Sequence, residues 1–233
     1  MFPQGSVHFN HGGYVRRGRR LNDEEYGLAL DSLVKACGDF LLKDPRNGKV
    51  LLGKRKVFPQ PDFWFLGGRM QPGESPEAAA SRSVKRELGI EIAPDKFITV
   101  AYWSGCWSMR QQQPQENGTA DISCVMTTDL TPEQCDGVVL SESEYNGFDW
   151  VHPKDIAANN GRTYHPALRW VANALVARES FLELQDAISR GASDAEIAEA
   201  ARKYAPLANP DVSTLGFDGK PLLAGGRVGD DAA

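Results

Sequence analysis

Residues 63 to 92, FWFLGGRMQPGESPEAAASRSVKRELGIEI, constrain the fold more than any other part of the chain. The apolar aromatic run Phe63-Trp64-Phe65-Leu66 reads as a strand, and it meets a double glycine, Gly67 and Gly68. A loop then closes at Gly73-Glu74. Ser75 followed by Pro76 marks a helix start. A serine hydroxyl can accept from a free N–H of the first turn, and proline at the first helical position removes only an N–H that has no helical partner. The residues that follow are good helix formers, and Gly89 stands where a left-handed residue would end the helix. The stretch predicts strand, glycine loop, helix, and the start of a short strand at Ile90-Glu91-Ile92.

The rest of the chain supplies further strands between helices. Asn22 or Asp23 caps a helix running to about residue 33, and residues 33–43 and 50–55 form a hairpin around Pro45-Arg46-Asn47-Gly48. Residues 97–107 alternate and are rich in aromatics, so they read as a strand; 120–128 and 148–151 are two more. The polar segments 109–118 and 141–147 are loops. Helices follow from Pro153 to Ile156, over about 166–188, and from Ser193 or Asp194 to about Tyr204. No internal repeat is present. This order predicts an α/β fold with a sheet sandwiched between helices.

Gly68, Glu74, Arg82, Val84, Glu87, Gly89 and Ile90 fall at the spacing of the Nudix box, so the chain resembles the Nudix hydrolases. Ser83 and Arg86 stand where that box has two further glutamates. The resemblance implies the family's α/β/α sandwich, a mixed sheet with helices on both faces, here with extra C-terminal helices. It gives a Nudix domain (21–180) followed by a helical extension (181–205), while composition gives a flexible basic arm (1–20) and a disordered tail (206–233). The chemistry behind the box is charge neutralisation, since a diphosphate carries clustered negative charge and its hydrolysis uses a hard cation held by oxygen ligands. Residues three and four apart share a helix face, so acids at 83, 86 and 87 would converge on one point. This chain keeps Glu87 alone of the three, which implies fewer metals or weaker binding of them.

Within the family the pattern looks most similar to the GDP-mannose mannosyl hydrolases, whose box also keeps only the final glutamate. Gly38-Asp39-Phe40, Leu51-Leu52-Gly53-Lys54-Arg55, Phe63-Trp64-Phe65, Gly67-Gly68-Arg69 and Gly118-Thr119-Ala120-Asp121 resemble segments of that group in the same order. The resemblance implies one Mg²⁺ (or Mn²⁺) held by the Gly67 carbonyl, Glu87 and Glu144. It implies that Asp39, Arg55 and Arg69 contact substrate, Arg69 as a catalytic cation, and that Glu74 and Arg82 hold the loop. Arginine suits phosphate oxygens because its planar fork binds two at once. Tyr145, a substrate-binding position by this resemblance, falls where the group has its catalytic-base histidine; a phenol keeps its proton near neutral pH. Leu66 replaces the usual proline before the glycines. His152 and His165 are candidate replacements for the base, though a structural role is expected of each. Arg86 is read as a surface residue, its alternative being a fixed cation that replaces lost metal charge. At most one of Tyr102, Trp103 and Trp107 is expected to stack on a base, and Cys106 and Cys124 are read as small buried residues.

A net charge of −5 gives no general nucleic-acid or membrane signature, and no apolar run approaches the ~20 residues that span a bilayer. The four cysteines show no CxxC spacing and read as reduced thiols of a cytoplasmic protein. Three functions compete. The first is Mg²⁺-dependent hydrolysis of a nucleoside diphosphate derivative, a nucleotide sugar resembling GDP-mannose. The second is a nucleotide-binding or sensing module that has lost catalysis. The third is an RNA-linked diphosphatase that uses the Arg16–Arg20 basic arm. The expected partner is a small molecule, with neither nucleic acid nor membrane; the aromatic strands or C-terminal helices could serve a homodimer.

Overall fold

The structure, a computed structural model, describes residues 7–9, 12–211 and 215. Its seven-stranded mixed sheet is assembled around β1 (Lys35–Lys43). One edge of β1 pairs in parallel with β6 (Thr119–Asp129) along its whole length. The other edge is shared. β2 (Val50–Arg55) meets β1 at Lys43↔Val50, and β4 (Leu66–Arg69) takes the earlier residues, pairing antiparallel from Cys37↔Arg69 to Phe40↔Leu66. β5 (Ile98–Trp107) lies outside β6, while β3 (Phe63–Trp64) and β7 (Tyr145–Val151) pair with β2.

Alternation along these strands gives the sheet two different faces, because successive side chains point to opposite sides. Phe40, Leu42, Leu51, Leu66, Cys124 and Met126 are buried in one core with Ala80 and Val84 of α2 (Pro76–Leu88). Gly38 lets this helix lie close, since a Cβ there would stand 3.1 Å from both the Ala79 Cβ and the Pro76 carbonyl oxygen. Lys35, Cys37 and Asp39 of β1, Trp103, Gly105 and Trp107 of β5, and Thr119, Asp121 and Ser123 of β6 have the opposite parity. On that side runs α1 (Asp23–Ser32), opened by an Asn22–Glu25 capping box.

Several expectations need correction. The glycine loop is strand: Gly67 and Gly68 belong to β4, with Gly67 opposite Asp39. Only glycine fits at 67, because φ is +139° and a Cβ would stand 2.6 Å from both Asp39 Oδ1 and the Gly38 carbonyl oxygen. Ile90 to Ile92 form no strand; the two isoleucines pack against the core, and Ser81 Oγ donates to the Ile92 carbonyl at 2.6 Å. β7 begins at Tyr145, three residues before the expected Phe148. A short helix, α3 (Pro132–Asp136), is capped by Thr131 and Gln134 and was not anticipated. Cys106 is exposed, since the parity that turns Trp107 inward turns Cys106 outward.

By packing, the chain divides into two units, residues 1–152 and 153–233, whereas the sequence reading sets its boundary at 180. In the second unit, α4 (Pro153–Ala158), α5 (Pro166–Ser189) and α6 (Asp194–Ala208) follow one another. α5 and α6 meet at Phe181 and Tyr204, whose ring centroids are 5.2 Å apart. α6 continues through Pro206, where the sequence reading ends it at about 204. A proline cannot donate to the carbonyl four residues before it, and the helix ends two residues later, at Ala208. Residues 1–6, 10 and 11 of the expected arm and the expected tail beyond residue 211, apart from Leu215, lie outside the described residues.

Candidate functional site

A cleft of about 510 Å³ opens on the sheet face away from α2. Asp39, Arg55, Gly67, Arg69, Glu144 and Tyr145 all line it, so six positions named from the sequence are brought together. Lys35, Trp64, Trp103, Trp107, Thr119 and Asp121 line it as well. The three tryptophans form an edge-to-face cluster, with centroids 5.6 to 6.2 Å apart. Quadrupoles favour that arrangement over face-to-face stacking.

Glu87 sits at the end of α2 with only 4% of its side chain exposed. Its Oε2 accepts from the Tyr145 hydroxyl at 2.7 Å, and its Oε1 from Arg86 Nη2 at 2.5 Å. The same Nη2 donates to the Gly67 carbonyl at 3.1 Å. Arg86 is therefore not simply a surface residue. Half of its side chain is exposed, but its charged end bridges the two oxygens to which the resemblance gives the metal. Burial pushes the Glu87 carboxyl above its ordinary range, against the opposing pull of Tyr145 and Arg86. Burial, together with the adjacent Glu87 carboxylate, also raises Tyr145, so its proton is held and it serves as donor rather than base.

Asp39 is buried, and its Oδ2 accepts from Ser123 Oγ at 2.6 Å. Burial pushes its carboxyl up to about 7, opposed by the Ser123 hydroxyl and by Arg55. Arg69 stacks its guanidinium on the Tyr26 ring, 4.8 Å from the centroid, which fixes a cation at the rim. Glu74 and Arg82 lie beside the cleft. Arg82 Nε and Nη2 donate to Glu74 at 2.7 and 2.9 Å, and Nη2 also reaches the Arg69 carbonyl at 3.0 Å. Glu74 also accepts from the Gln71 N–H at 2.8 Å, so one carboxylate ties the helix to both ends of the preceding loop. From the arm, Arg16 comes within 3.7 Å of Glu74.

His152, in the same unit as the cleft, is not among the residues that line it. His165 caps α5, its Nδ1 accepting from the Ala167 N–H at 3.1 Å, and burial pushes it down to about 4. His152 lies at the turn around Gly48, 4.0 Å from where a Cβ on that glycine would stand.

Some residues of the site were missed from the sequence. Lys35 and Asp121 pair at 3.2 Å, and Asp121 Oδ2 also accepts from Trp107 Nε1 at 3.0 Å. Trp103 Nε1 and Thr119 Oγ1 are buried and have no hydrogen-bond partner among the described residues. Arg110, 1% exposed, organises the glutamine-rich loop by donating to the Gln112 and Gly118 carbonyls and, at 2.5 Å, to Asp31 of α1. The signal that could have found Thr119 and Asp121 is parity: Thr119-x-Asp121-x-Ser123 beside Trp103-x-Gly105-x-Trp107 is a polar and aromatic stripe on one strand face.

The donor set can be tested against a divalent cation. No group of three or more His, Cys, Asp or Glu suited to a metal occurs among the described residues. What the site offers is one carboxylate and one carbonyl converging on a single cationic nitrogen, with Glu144 on the same cleft. Those are hard oxygen donors arranged about one cation position, and they fit Mg²⁺ or Mn²⁺ provided Arg86 moves aside.

The chain thus has a mixed sheet, a glycine strand, and a capped helix whose Glu87 meets Arg86 and Tyr145 at the edge of a basic and aromatic cleft. The family described as NUDIX domain matches residues 39–171, more than half of the chain, and the chain belongs to that family. It is 36% identical over 59 residues to the NAD-capped RNA hydrolase NUDT12 of Homo sapiens, covering 25% of this chain and 13% of that protein. It is 38% identical over 55 residues to the CTP pyrophosphohydrolase of Escherichia coli (strain K12), covering 23% and 41%. A MutT NUDIX hydrolase of Burkholderia pseudomallei, of known crystal structure, aligns with TM-score 0.46 and 17% identity over 60% of this chain and 97% of that one. No helix among the described residues is long and apolar enough to cross a membrane.

Proposed function

We propose that the protein hydrolyses the pyrophosphate linkage of a nucleoside diphosphate derivative. One observation carries this reading: a single cleft joins cationic side chains, Arg55 and Arg69, to the Trp64–Trp103–Trp107 wall. The first group suits phosphate oxygens, and the second suits a planar base. The unmet Trp103 Nε1 and Thr119 Oγ1 add hydrogen-bonding atoms for the edge of that ring. The names of the relatives, a CTP pyrophosphohydrolase and an NAD-capped RNA hydrolase, support a pyrophosphate-bearing substrate.

Arg55 and Arg69 bind the diphosphate and offset charge that grows on the leaving phosphate. Gly67 and Glu87, with Glu144, would hold a divalent ion; when bound, it supplies further neutralisation of the phosphate oxygens. Tyr145 orients Glu87 by donating to it. Water attacks phosphorus and the bridging P–O bond breaks. The held proton of Tyr145 argues against the alternative, attack at a sugar carbon with a base at this position.

The test is a substrate panel of nucleotide sugars, nucleoside triphosphates, NAD and NAD-capped RNA, run in ¹⁸O water with and without Mg²⁺. Label is expected in phosphate, and Glu87→Gln should lower kcat by about 10²-fold or more. Label in the sugar would move the attack to carbon. Absence of turnover across the panel, with Glu87→Gln binding the compounds as tightly as the parent, would leave a binding module instead.

A further inference from the structure

We propose that the Arg86 guanidinium is a tethered occupant of the cation position between Gly67 and Glu87, and that it weakens divalent-cation binding until it is displaced. This rests on the assignment of those two oxygens to a cation. The geometry sets the two occupants in competition. Tyr145 already takes Glu87 Oε2, so the edge of the carboxylate left for a metal is the one Arg86 Nη2 contacts at 2.5 Å. The Gly67 carbonyl, the second metal donor, faces the same nitrogen at 3.1 Å. Two cations in contact with the same oxygens also repel each other, and burial of Glu87 strengthens that repulsion by excluding water.

The device is built from side chain and backbone together. Arg86 reaches over Gly68, where a Cβ would stand 3.4 Å from its Nη2, at van der Waals contact. Half of the Arg86 side chain is exposed, and Arg86 itself lines the cleft with Arg55 and Arg69. A diphosphate in the cleft offers the fork a bidentate partner to exchange for Glu87. Glu144, on the same cleft, acts on both Glu87 and Arg86, favouring the charged arginine. Cation and anionic ligand would then bind as a coupled pair, the ligand releasing the oxygens that the metal needs.

The decisive measurement is Mn²⁺ binding to the full chain without nucleotide, read from the free-ion EPR signal. Arg86→Ala places the best helix former at an exposed helical position, so the fold is retained and circular dichroism can verify it. It should bind Mn²⁺ at least about tenfold more tightly than the parent chain. Lys85→Ala removes the neighbouring charge, which pairs with Glu91 at 2.6 Å, and should leave the affinity unchanged. Equal affinities of parent and Arg86→Ala would overturn the proposal. So would a Lys85→Ala shift as large as that of Arg86→Ala, or no Mn²⁺ binding by any of the three. Hydrolysis is scored separately: turnover with an unshifted Mn²⁺ affinity sinks this inference alone, and a shifted affinity without turnover sinks the proposed reaction alone.

Discussion

Asp39 is a carboxyl kept from water and opposite a strand glycine, with one serine hydroxyl to satisfy it. Burial pushes it up to about 7. In the folded chain it therefore keeps a proton that the unfolded chain releases near the ordinary carboxylate range. The native state binds more protons across that window, so stability falls as pH rises from about 4 to about 7 and is level above it. Asp39→Asn keeps an acceptor for Ser123 and has no charge to bury. Relative to the variant, the parent should lose on the order of 2 to 4 kcal/mol between about pH 4 and pH 8, read from urea unfolding. Comparing the two chains cancels Asp31, Asp44 and Glu74, whose carboxyls are held low by arginine partners and change stability in the opposite sense. A parallel pH dependence in parent and variant would show that Asp39 is ionised throughout. Asp39, Arg55 and Arg69 were named through the family resemblance and line one cleft, but a residue's neighbours in space were not legible in the sequence. Arg86 was read as solvated because nothing in the linear order shows that Gly67, nineteen residues away, turns its carbonyl toward it.

At the scale of elements, the order of strands and helices was legible because it depends on caps and alternation, which are local. Ser75 and Gly89 bound α2 as their chemistry requires, with the Ser75 hydroxyl accepting from the Ala78 N–H and Gly89 at φ +69°. Pairing was less legible. A double glycine reads locally as a loop, and only its partner β1 makes it a strand. The same limit hid the closeness of β1 to α2, which Gly38 permits. Replacing Gly38 with valine would force the Ala79 methyl and the Pro76 carbonyl, each at 3.1 Å from a Cβ, to retreat before the extra methyls are placed. Valine gains strand propensity of up to ~1 kcal/mol, but overpacking costs about 1 to 3 kcal/mol, so overpacking wins. Gly38→Val should lower stability by about 1 to 2 kcal/mol in a urea titration. A rise in stability would mean that the helix moves off the sheet without loss. Because Glu87 rides on that helix, a shift of α2 should also weaken activity.

For the whole molecule, charge and site have opposite signs. The chain carries −5 overall, yet Lys35, Arg55, Arg69, Arg86 and Arg110 line one cleft. They are not equally available. Lys35 is paired with Asp121, Arg110 with Asp31 and Arg86 with Glu87, which under the proposed function leaves the incoming anion chiefly to Arg55 and Arg69. A ligand approaching from solvent thus meets a net negative field at long range and an attractive one close in. Salt screens both, over a length that shrinks from about 10 Å at 0.1 M to about 3 Å at 1 M. Contacts at the rim, such as the Arg69 guanidinium on Tyr26, are exposed to that screening; the tryptophan wall depends on apolar area and is not. Calorimetric titration should therefore show nucleoside diphosphate affinity falling about tenfold between 0.1 M and 1 M salt, and a nucleoside without phosphates binding with nearly the same affinity at both. If the phosphate-free nucleoside weakens in step with the diphosphate, the aromatic cluster is not where the base rests. If neither weakens, Arg55 and Arg69 do not hold the phosphates.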